Sequence, residues 1–178
     1  MRSLILITGV VNSGKTTYLH KLISEYRQKG KTVGGFTAEA FYKKGEKIGY
    51  DACDLRSGAQ QALVRSKNVL PPEEFQQERY QPESYQRVGR FLLLASGLDF
   101  CRRCIDDSFN CDVVCIDEIG PLEMAGGGHR RVFEKVLSDY ASTLIVVARE
   151  EVVDPVIKIA EKAGWAVEVV YVQRENSE

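Results

Sequence analysis

The residues with the clearest capacity for chemistry lie near the N-terminus, in a glycine-bounded loop that follows a short apolar run. The loop fits the pattern G-x-x-x-x-G-K-[ST], between a predicted strand at residues 3–8 and a predicted helix at about 15–29. Glycines let backbone N–H groups point inward, and the helix N-terminus adds partial positive charge. A polyphosphate fits such a cup. The residues expected to bind it are Gly9, Val10, Val11, Asn12, Ser13, Gly14, Lys15, Thr16 and Thr17.

Two side chains of this loop have distinct expected roles. Lys15 would reach the β- and γ-phosphates and act in catalysis, and the hydroxyl of Thr16 would ligate Mg²⁺. The alternative is a chance glycine turn before a helix. It is disfavoured because the pattern is complete and both flanking elements are predicted in the required order.

A second informative stretch is an apolar run at residues 113–116 that ends in two carboxylates, Asp117 and Glu118. Ligands bind beyond the carboxyl ends of strands in open α/β sheets. Asp117 is therefore expected to hold Mg²⁺, directly or through a water, and Glu118 to accept a proton from the attacking water or to orient it. Strands often end with acids, so the prediction depends on the phosphate loop upstream.

Arg149 follows another predicted buried strand, at residues 143–148, and so belongs to the same ligand edge. It is a candidate contact to the γ-phosphate or a cation for the transition state. The alternative is an ion pair with the acids that follow it, Glu150 and Glu151. The sequence does not separate these two roles.

Strands and helices alternate along the chain, which predicts a single α/β domain over residues 1–178 with a doubly wound, mainly parallel sheet. Residues 36–65 are expected to form a small antiparallel β insert, and residues 66–87 an exposed loop. Residues 88–94 are expected to form one strand. Local caps are expected to start helices at Ser96–Asp99 and at Asp154–Pro155.

Composition excludes several classes of protein. Lys plus Arg number 24 and Asp plus Glu 25, so no global basic field indicates nucleic acid as a partner. No apolar run reaches the ~18 residues of a membrane span, and no leader-peptide cleavage pattern follows the first strand. Five cysteines, an odd number, argue against a disulfide framework, and core packing is favoured over zinc for Cys101 and Cys104. A cytoplasmic protein, with a monomer favoured, is expected.

Several segments together resemble the THEP1 family of P-loop nucleoside triphosphatases. Besides the phosphate loop, the matching segments are residues 35–39 (GFTAE), 45–50 (GEKIGY), 88–91 (VGRF) and 117–123 (DEIGPLE). The resemblance implies a RecA-like or kinase-like fold and Mg²⁺-dependent hydrolysis of ATP, GTP and other nucleoside triphosphates to diphosphate and phosphate. In this chain Lys47 replaces an arginine of the family's hairpin, and it is a candidate phosphate contact.

Two other classes of function stay open at this stage. A nucleotide or small-molecule kinase would use the insert and the following loop to hold an acceptor hydroxyl in place of water. A nucleotide-dependent switch or adaptor would act on another protein. The absence of an N-K-x-D motif disfavours the ordinary GTPase version of the switch.

Overall fold

The computed structural model describes residues 2–66 and 85–173. All nine strands of the described residues belong to one mixed sheet, in the order β5-β6-β4-β3-β2-β7-β8-β1-β9. The strands are β1 (Ser3–Thr8), β2 (Val33–Lys43), β3 (Glu46–Asp54), β4 (Gln60–Ser66), β5 (Tyr85–Val88), β6 (Phe91–Leu94), β7 (Val113–Ile119), β8 (Thr143–Ala148) and β9 (Ala166–Tyr171).

One half of the sheet is parallel and is buried on both faces. Strands β2, β7, β8, β1 and β9 pair in parallel, with β9 at the edge as its partly alternating sequence suggests. Alternate residues of the central strands enter two separate cores. In β8, for example, Leu144 and Val146 face one core while Ile145 and Val147 face the other. Such strands require near-continuous apolar sequence. The parallel pairing between two cores confirms the prediction of an α/β fold.

In the described part of the chain, four longer helices flank this sheet: α1 (Lys15–Gln28), α2 (Ala95–Asp106), α4 (Arg130–Asp139) and α5 (Val153–Lys162), with a short α3 at Pro121–Met124. Helix α1 buries Leu19 and Ile23 in the core that contains Ile145. Helices α2, α4 and α5 pack in the core on the other face. Two predicted caps are wrong. Helix α2 starts at Ala95 and α5 at Val153, and neither has a side-chain cap, because the chain enters each helix directly from a strand or a 3₁₀ turn.

The other half of the sheet is antiparallel and is larger than the predicted insert. Strands β2, β3 and β4 cover most of residues 36–65 as expected, and β6 and β5 extend them. The single strand expected at 88–94 is wrong, because Gly89, with a positive φ of 58°, turns the chain between β5 and β6. Of the loop predicted at 66–87, residues 67–84 lie outside the described residues.

The cysteines differ in burial, and the core packing predicted for Cys101 and Cys104 is confirmed. Cys101, Cys104 and Cys115 are buried, Cys53 and Cys111 are half-buried, and all five are free. Burial raises the pKa of the Cys104 thiol to about 12, which disfavours the thiolate that a metal would need. Among the described residues there is no group of three or more histidine, cysteine or acidic side chains that could hold a metal. In the described part of the chain no helix is long and apolar enough to cross a membrane.

The buried histidine at the start of α4 makes stability sensitive to acid. His129 packs against Phe36 with ring centroids 4.8 Å apart, and its Nδ1 has no hydrogen-bond partner among the described residues. Burial lowers its pKa to about 4, from an ordinary value of about 6.5. The imidazole of His129 therefore binds a proton more tightly in the unfolded chain than in the folded one. Its contribution to the free energy of unfolding is fully present above the unfolded pKa and is lost as pH falls from about 6.5 toward 4.

Because of His129, we expect the free energy of unfolding to fall by about 2 kcal/mol when the pH is lowered from 7 to 5. In His129→Phe, whose ring can still pack against Phe36, that part of the acid sensitivity should disappear. Urea unfolding at the two pH values measures it, and His20→Gln, at the half-exposed second histidine, is the control. Equal acid sensitivity in the wild type and His129→Phe would contradict this account.

Candidate active site

The sheet order brings the predicted chemical residues to one edge. Strand β8 lies between β1 and β7, and Val147 of β8 is level with both Ile7 and Asp117. Because the three strands are parallel, their carboxyl ends share one edge of the sheet. The phosphate loop after β1, Arg149 after β8 and the carboxylates at the end of β7 therefore converge there.

The loop after β1 has the backbone of a phosphate cup. Positive φ angles occur at Gly9 (147°), Asn12 (61°) and Gly14 (92°), and the N–H of Ser13 donates to the carbonyl of Val10 at 3.1 Å. Gly9 is required on packing grounds as well, because a Cβ there would lie 2.3 Å from the carbonyl oxygen of Val172. The buried Oγ of Ser13 has no partner among the described residues and keeps its hydrogen-bonding capacity.

Lys15 closes the cup from the first turn of α1. Its Nζ donates to the loop carbonyls of Gly9 and Val10, at 2.9 and 3.2 Å. These acceptors carry no formal charge, so neither forms an ion pair with the ammonium group. A phosphate oxygen is the better partner, because it adds the attraction of a negative charge to the hydrogen bond.

Asp117 is a carboxylate buried at the centre of the site. Asp117 is only 3% exposed, and its Oδ2 accepts a hydrogen bond from the N–H of Ala38 on β2 at 3.2 Å. Burial is the main cause that raises its pKa, to about 7, and the negative charges of Glu118 and Glu39 add to the rise. Lys15 acts in the opposite sense, which places its ammonium group within electrostatic reach of this carboxylate.

Glu118 leaves the ladder and pairs with Arg149. A β-bulge between Asp117 and Ile119 takes Glu118 out of register with β8, and the peptide bond between Asp117 and Glu118 is cis. Bulges re-aim side chains, and here Oε1 of Glu118 accepts from Nε of Arg149 at 2.9 Å. That hydrogen bond is the main cause that raises the pKa of Arg149. Glu118 keeps 31% of its side chain exposed, enough for a water to reach it.

The antiparallel half reaches this edge through Lys47, a candidate phosphate contact, and through Tyr50, to which the sequence analysis gave no role. Tyr50 of β3 lies close enough to Arg149 to add to the rise of its pKa. Nζ of Lys47 donates to the hydroxyl of Tyr50 at 2.8 Å, so its nearest described partner is this phenol. A phosphate contact by Lys47 therefore stays a prediction, although its strand reaches the right edge.

The family-like segment at residues 35–39 has a structural basis. Glu39 pairs with His20 of α1 at 2.7 Å, which ties the helix of the phosphate loop to β2. The next backbone N–H toward the N-terminus, at Ala38, is the one that donates to Asp117. Only the resemblance to known sequences could have found this segment, because its local pattern is that of an ordinary strand.

Glu123, the last residue of the segment DEIGPLE, organises the chain that leaves β7. Its carboxylate accepts from the N–H of Gly120 at 2.9 Å and from the N–H of His129 at 3.0 Å, although the residue is only 5% exposed. Burial raises its pKa, and the two N–H groups oppose that rise. Glu123 thus fixes both ends of the connection between the acidic strand and α4.

The donor set at this edge fits Mg²⁺. This cation prefers oxygen ligands and is usually held by one or two carboxylates together with substrate phosphates. Asp117 supplies a carboxylate that lacks a described cationic hydrogen-bond partner, and Thr16 supplies a half-buried hydroxyl from the loop.

A family model and curated relatives point to one family, and a solved structure shares the fold of this chain. A family model described as NTPase matches residues 4–178. The nucleoside-triphosphatase THEP1 of Hyperthermus butylicus is 29% identical over 158 residues, which cover 88% of this chain and 76% of that protein. The THEP1 protein of Sulfurisphaera tokodaii is 24% identical over 174 residues, 97% of this chain and 88% of its own. A solved human cancer-related nucleoside triphosphatase has a TM-score of 0.71 at 24% identity, covering 99% of this chain and 91% of that one.

Removing the carboxylate of Glu123 should destabilise the protein. Glu123→Ala leaves two buried N–H groups without an acceptor, and we expect a loss of about 3 kcal/mol in the free energy of unfolding. Glu123→Gln, which keeps one acceptor oxygen, should lose about half as much. The control is Glu134→Ala, which removes an exposed ion pair with Arg130 and should cost less than about 1 kcal/mol. Chemical denaturation measures all three, and equal losses in Glu123→Ala and Glu134→Ala would contradict the role.

Proposed function

Because the chain belongs to the NTPase family, we propose that it hydrolyses nucleoside triphosphates, ATP and GTP among them, to diphosphate and phosphate with Mg²⁺. One observation carries the proposal. A phosphate loop whose lysine has no ion-pair partner among the described residues lies at the same edge as an acidic pair, one strand apart; in that pair Asp117 is buried and Glu118 is partly exposed. The curated relatives named nucleoside-triphosphatase THEP1 support the same activity.

The phosphate loop would hold the substrate and stabilise the charge that develops during the reaction. Backbone N–H groups of Gly14 to Thr17 would donate to the β- and γ-phosphate oxygens. Lys15 would exchange its present contacts with two loop carbonyls for phosphate oxygens. Donors that are already oriented toward developing charge lower the barrier without reorganisation at the moment of reaction.

Thr16 and Asp117 would hold Mg²⁺. When bound, the cation would supply positive charge against the charge of the phosphates. The burial that raises the pKa of Asp117 is the condition that favours a cation as its partner, because a positive neighbour stabilises the ionised carboxylate. Oxygen ligands from a short hydroxyl and a carboxylate are the set that this role requires.

Glu118 would act on the attacking water. Its carboxylate is partly exposed and is displaced from the ladder by the bulge, so it faces the space beyond the strand end. A carboxylate there can accept a proton from the water or orient it toward the γ-phosphorus. Arg149, hydrogen-bonded to Glu118, would keep that carboxylate in place and present a cation beside the γ-phosphate.

Free thiols at all five cysteines agree with the reducing conditions of a cytoplasmic protein, which is the location we propose. A single domain and a monomeric state remain predictions. A kinase that transfers phosphate to an added acceptor is the competing assignment, and the assay for hydrolysis also separates the two.

Replacing the proposed base should abolish turnover but keep binding. In Glu118→Gln we expect kcat for phosphate release from ATP, GTP, CTP and UTP to fall by about 10²–10⁴-fold, because the amide cannot accept the proton. Nucleotide binding, measured by calorimetry with Mg²⁺, should change little. If the wild type releases little phosphate to water but transfers it to an added nucleoside or nucleotide, the kinase assignment replaces this one.

Lys15 supplies the complementary experiment. Lys15→Ala should lose most of both nucleotide binding and hydrolysis, because it removes the cation that contacts the phosphates. The matched control is Lys21→Ala, an exposed lysine on the same helix. A Lys15→Ala protein that hydrolyses ATP and GTP as fast as the Lys21→Ala protein would refute the assignment of the loop.

A further inference from the structure

A cavity of about 330 Å³ lies at the carboxyl edge of the sheet, beside the start of the phosphate loop. It is formed by the ends of three adjacent strands, β8, β1 and β9. Its volume is at the lower end of the range for small-molecule sites, so it fits a planar ring rather than a whole nucleotide. Its lining residues are Gly9, Val10, Glu150, Tyr171, Val172 and Gln173.

We propose that this cavity is the subsite for the nucleobase of the substrate, with the ring of Tyr171 as the surface on which the base stacks. The inference rests on the proposed function and extends it to the end of the substrate that does not react. No segment of the family resemblance includes Tyr171, which lies in the last strand of the described chain.

The exposure of apolar side chains supports this assignment. Six large hydrophobic residues of the described chain are strongly exposed, and three of them, Val10, Val11 and Tyr171, lie in the loop or at the end of β9. Tyr171 leaves 62% of its surface exposed. An aromatic ring in this position is stabilised when a base stacks on it, because stacking removes one face of each ring from water.

The strand order predicts how the substrate would lie along the edge of the sheet, with the γ-phosphate near β7 and the base near β9. Asp117, at the end of β7, marks the position of the γ-phosphate and its cation, and β8 and β1 separate it from β9. Strands lie about 4.8 Å apart, so Tyr171 is about 14 Å from Asp117 along the edge of the sheet. That distance is on the scale of an extended nucleoside triphosphate. The phosphates would cross the loop after β1 and deliver the base to the end of β9.

The wall of the cavity is tied directly to the loop. The N–H of Val172 donates to the carbonyl of Thr8 at 2.8 Å, and Tyr171 is level with Thr8 in the ladder. The close approach of the Val172 carbonyl is also what excludes a side chain at Gly9. The backbone that carries the ring of Tyr171 is therefore held at a fixed distance from the phosphate cup.

The polar side chains of the cavity do not select one base. Glu150 offers carboxylate oxygens, and Gln173 offers both a donor and an acceptor. Every base has a π-face, so stacking tolerates all of them and differs only in strength with ring size. This cavity thus predicts broad acceptance, with purines favoured modestly over pyrimidines.

The experiment separates the base from the phosphates. Binding of the β,γ-methylene analogues of ATP and UTP, and of inorganic tripolyphosphate, is measured by calorimetry with Mg²⁺ for the wild type, Tyr171→Ala and Tyr171→Phe. Tyr171→Ala should bind the ATP analogue about 10-fold more weakly and the UTP analogue with a smaller loss, because uracil has the smaller face. Its affinity for tripolyphosphate should stay that of the wild type, and Tyr171→Phe, which keeps the ring, should match the wild type throughout.

Three results would overturn the subsite: no loss for either nucleotide analogue, an equal loss for both, which would assign the ring to the ribose, or a parallel loss for tripolyphosphate. Circular dichroism of Tyr171→Ala checks that the edge strand is folded. If the wild type binds none of the three ligands, the proposed function fails as well. If it binds all three but Tyr171→Ala behaves as the wild type, only the subsite is lost.

Discussion

Burial of both faces of the central strands is the constraint that locates the chemistry of this protein. Residues of β1, β7 and β8 alternate between two apolar cores, so none of their side chains along the strand is free to meet a ligand. Only the strand ends reach water. Parallel pairing then places all the carboxyl ends at one edge, which is where the loop, Arg149 and the acidic pair lie. The fold thus brings the polar residues of the candidate site together at this edge.

Electrostatic imbalance at that edge is the second consequence. Asp117 is buried beside Glu118 and Glu39, and each of these negative charges raises its pKa. The nearby cations are arranged differently. Arg149 donates a hydrogen bond to Glu118, while Lys15 donates to two neutral carbonyls and has no ion-pair partner among the described residues. A site with a buried, poorly compensated carboxylate beside a phosphate cup favours a divalent cation and a polyphosphate together, because each neutralises the charge that the other meets.

The sequence predicted the parts of the fold and of the site that depend on local pattern. The apolar runs of β1, β7 and β8 and the loop at Gly9 to Thr17 each have a signature within ten residues. The sequence did not predict that β8 separates β1 from β7, because strand order depends on contacts between distant segments. The pairing of Arg149 with Glu118, rather than with its sequence neighbours Glu150 and Glu151, follows from that order. The predictions of helix caps were wrong for a similar reason. Helices α2 and α5 begin where the preceding segments place them, without a side-chain acceptor at the N-cap.

Strand β2 joins the two halves of the sheet, and this explains why the antiparallel half belongs to the site. On one side β2 runs parallel to β7, and on the other it forms a hairpin with β3. Its Ala38 N–H donates to Asp117, while Glu39, the next residue, is held by His20 of the helix that follows the loop. The same short segment therefore contacts the acidic strand and the phosphate-loop helix. The hairpin cannot shift along β7 without moving a hydrogen bond to the buried carboxylate, so the antiparallel half fixes the geometry of the edge where the substrate would react.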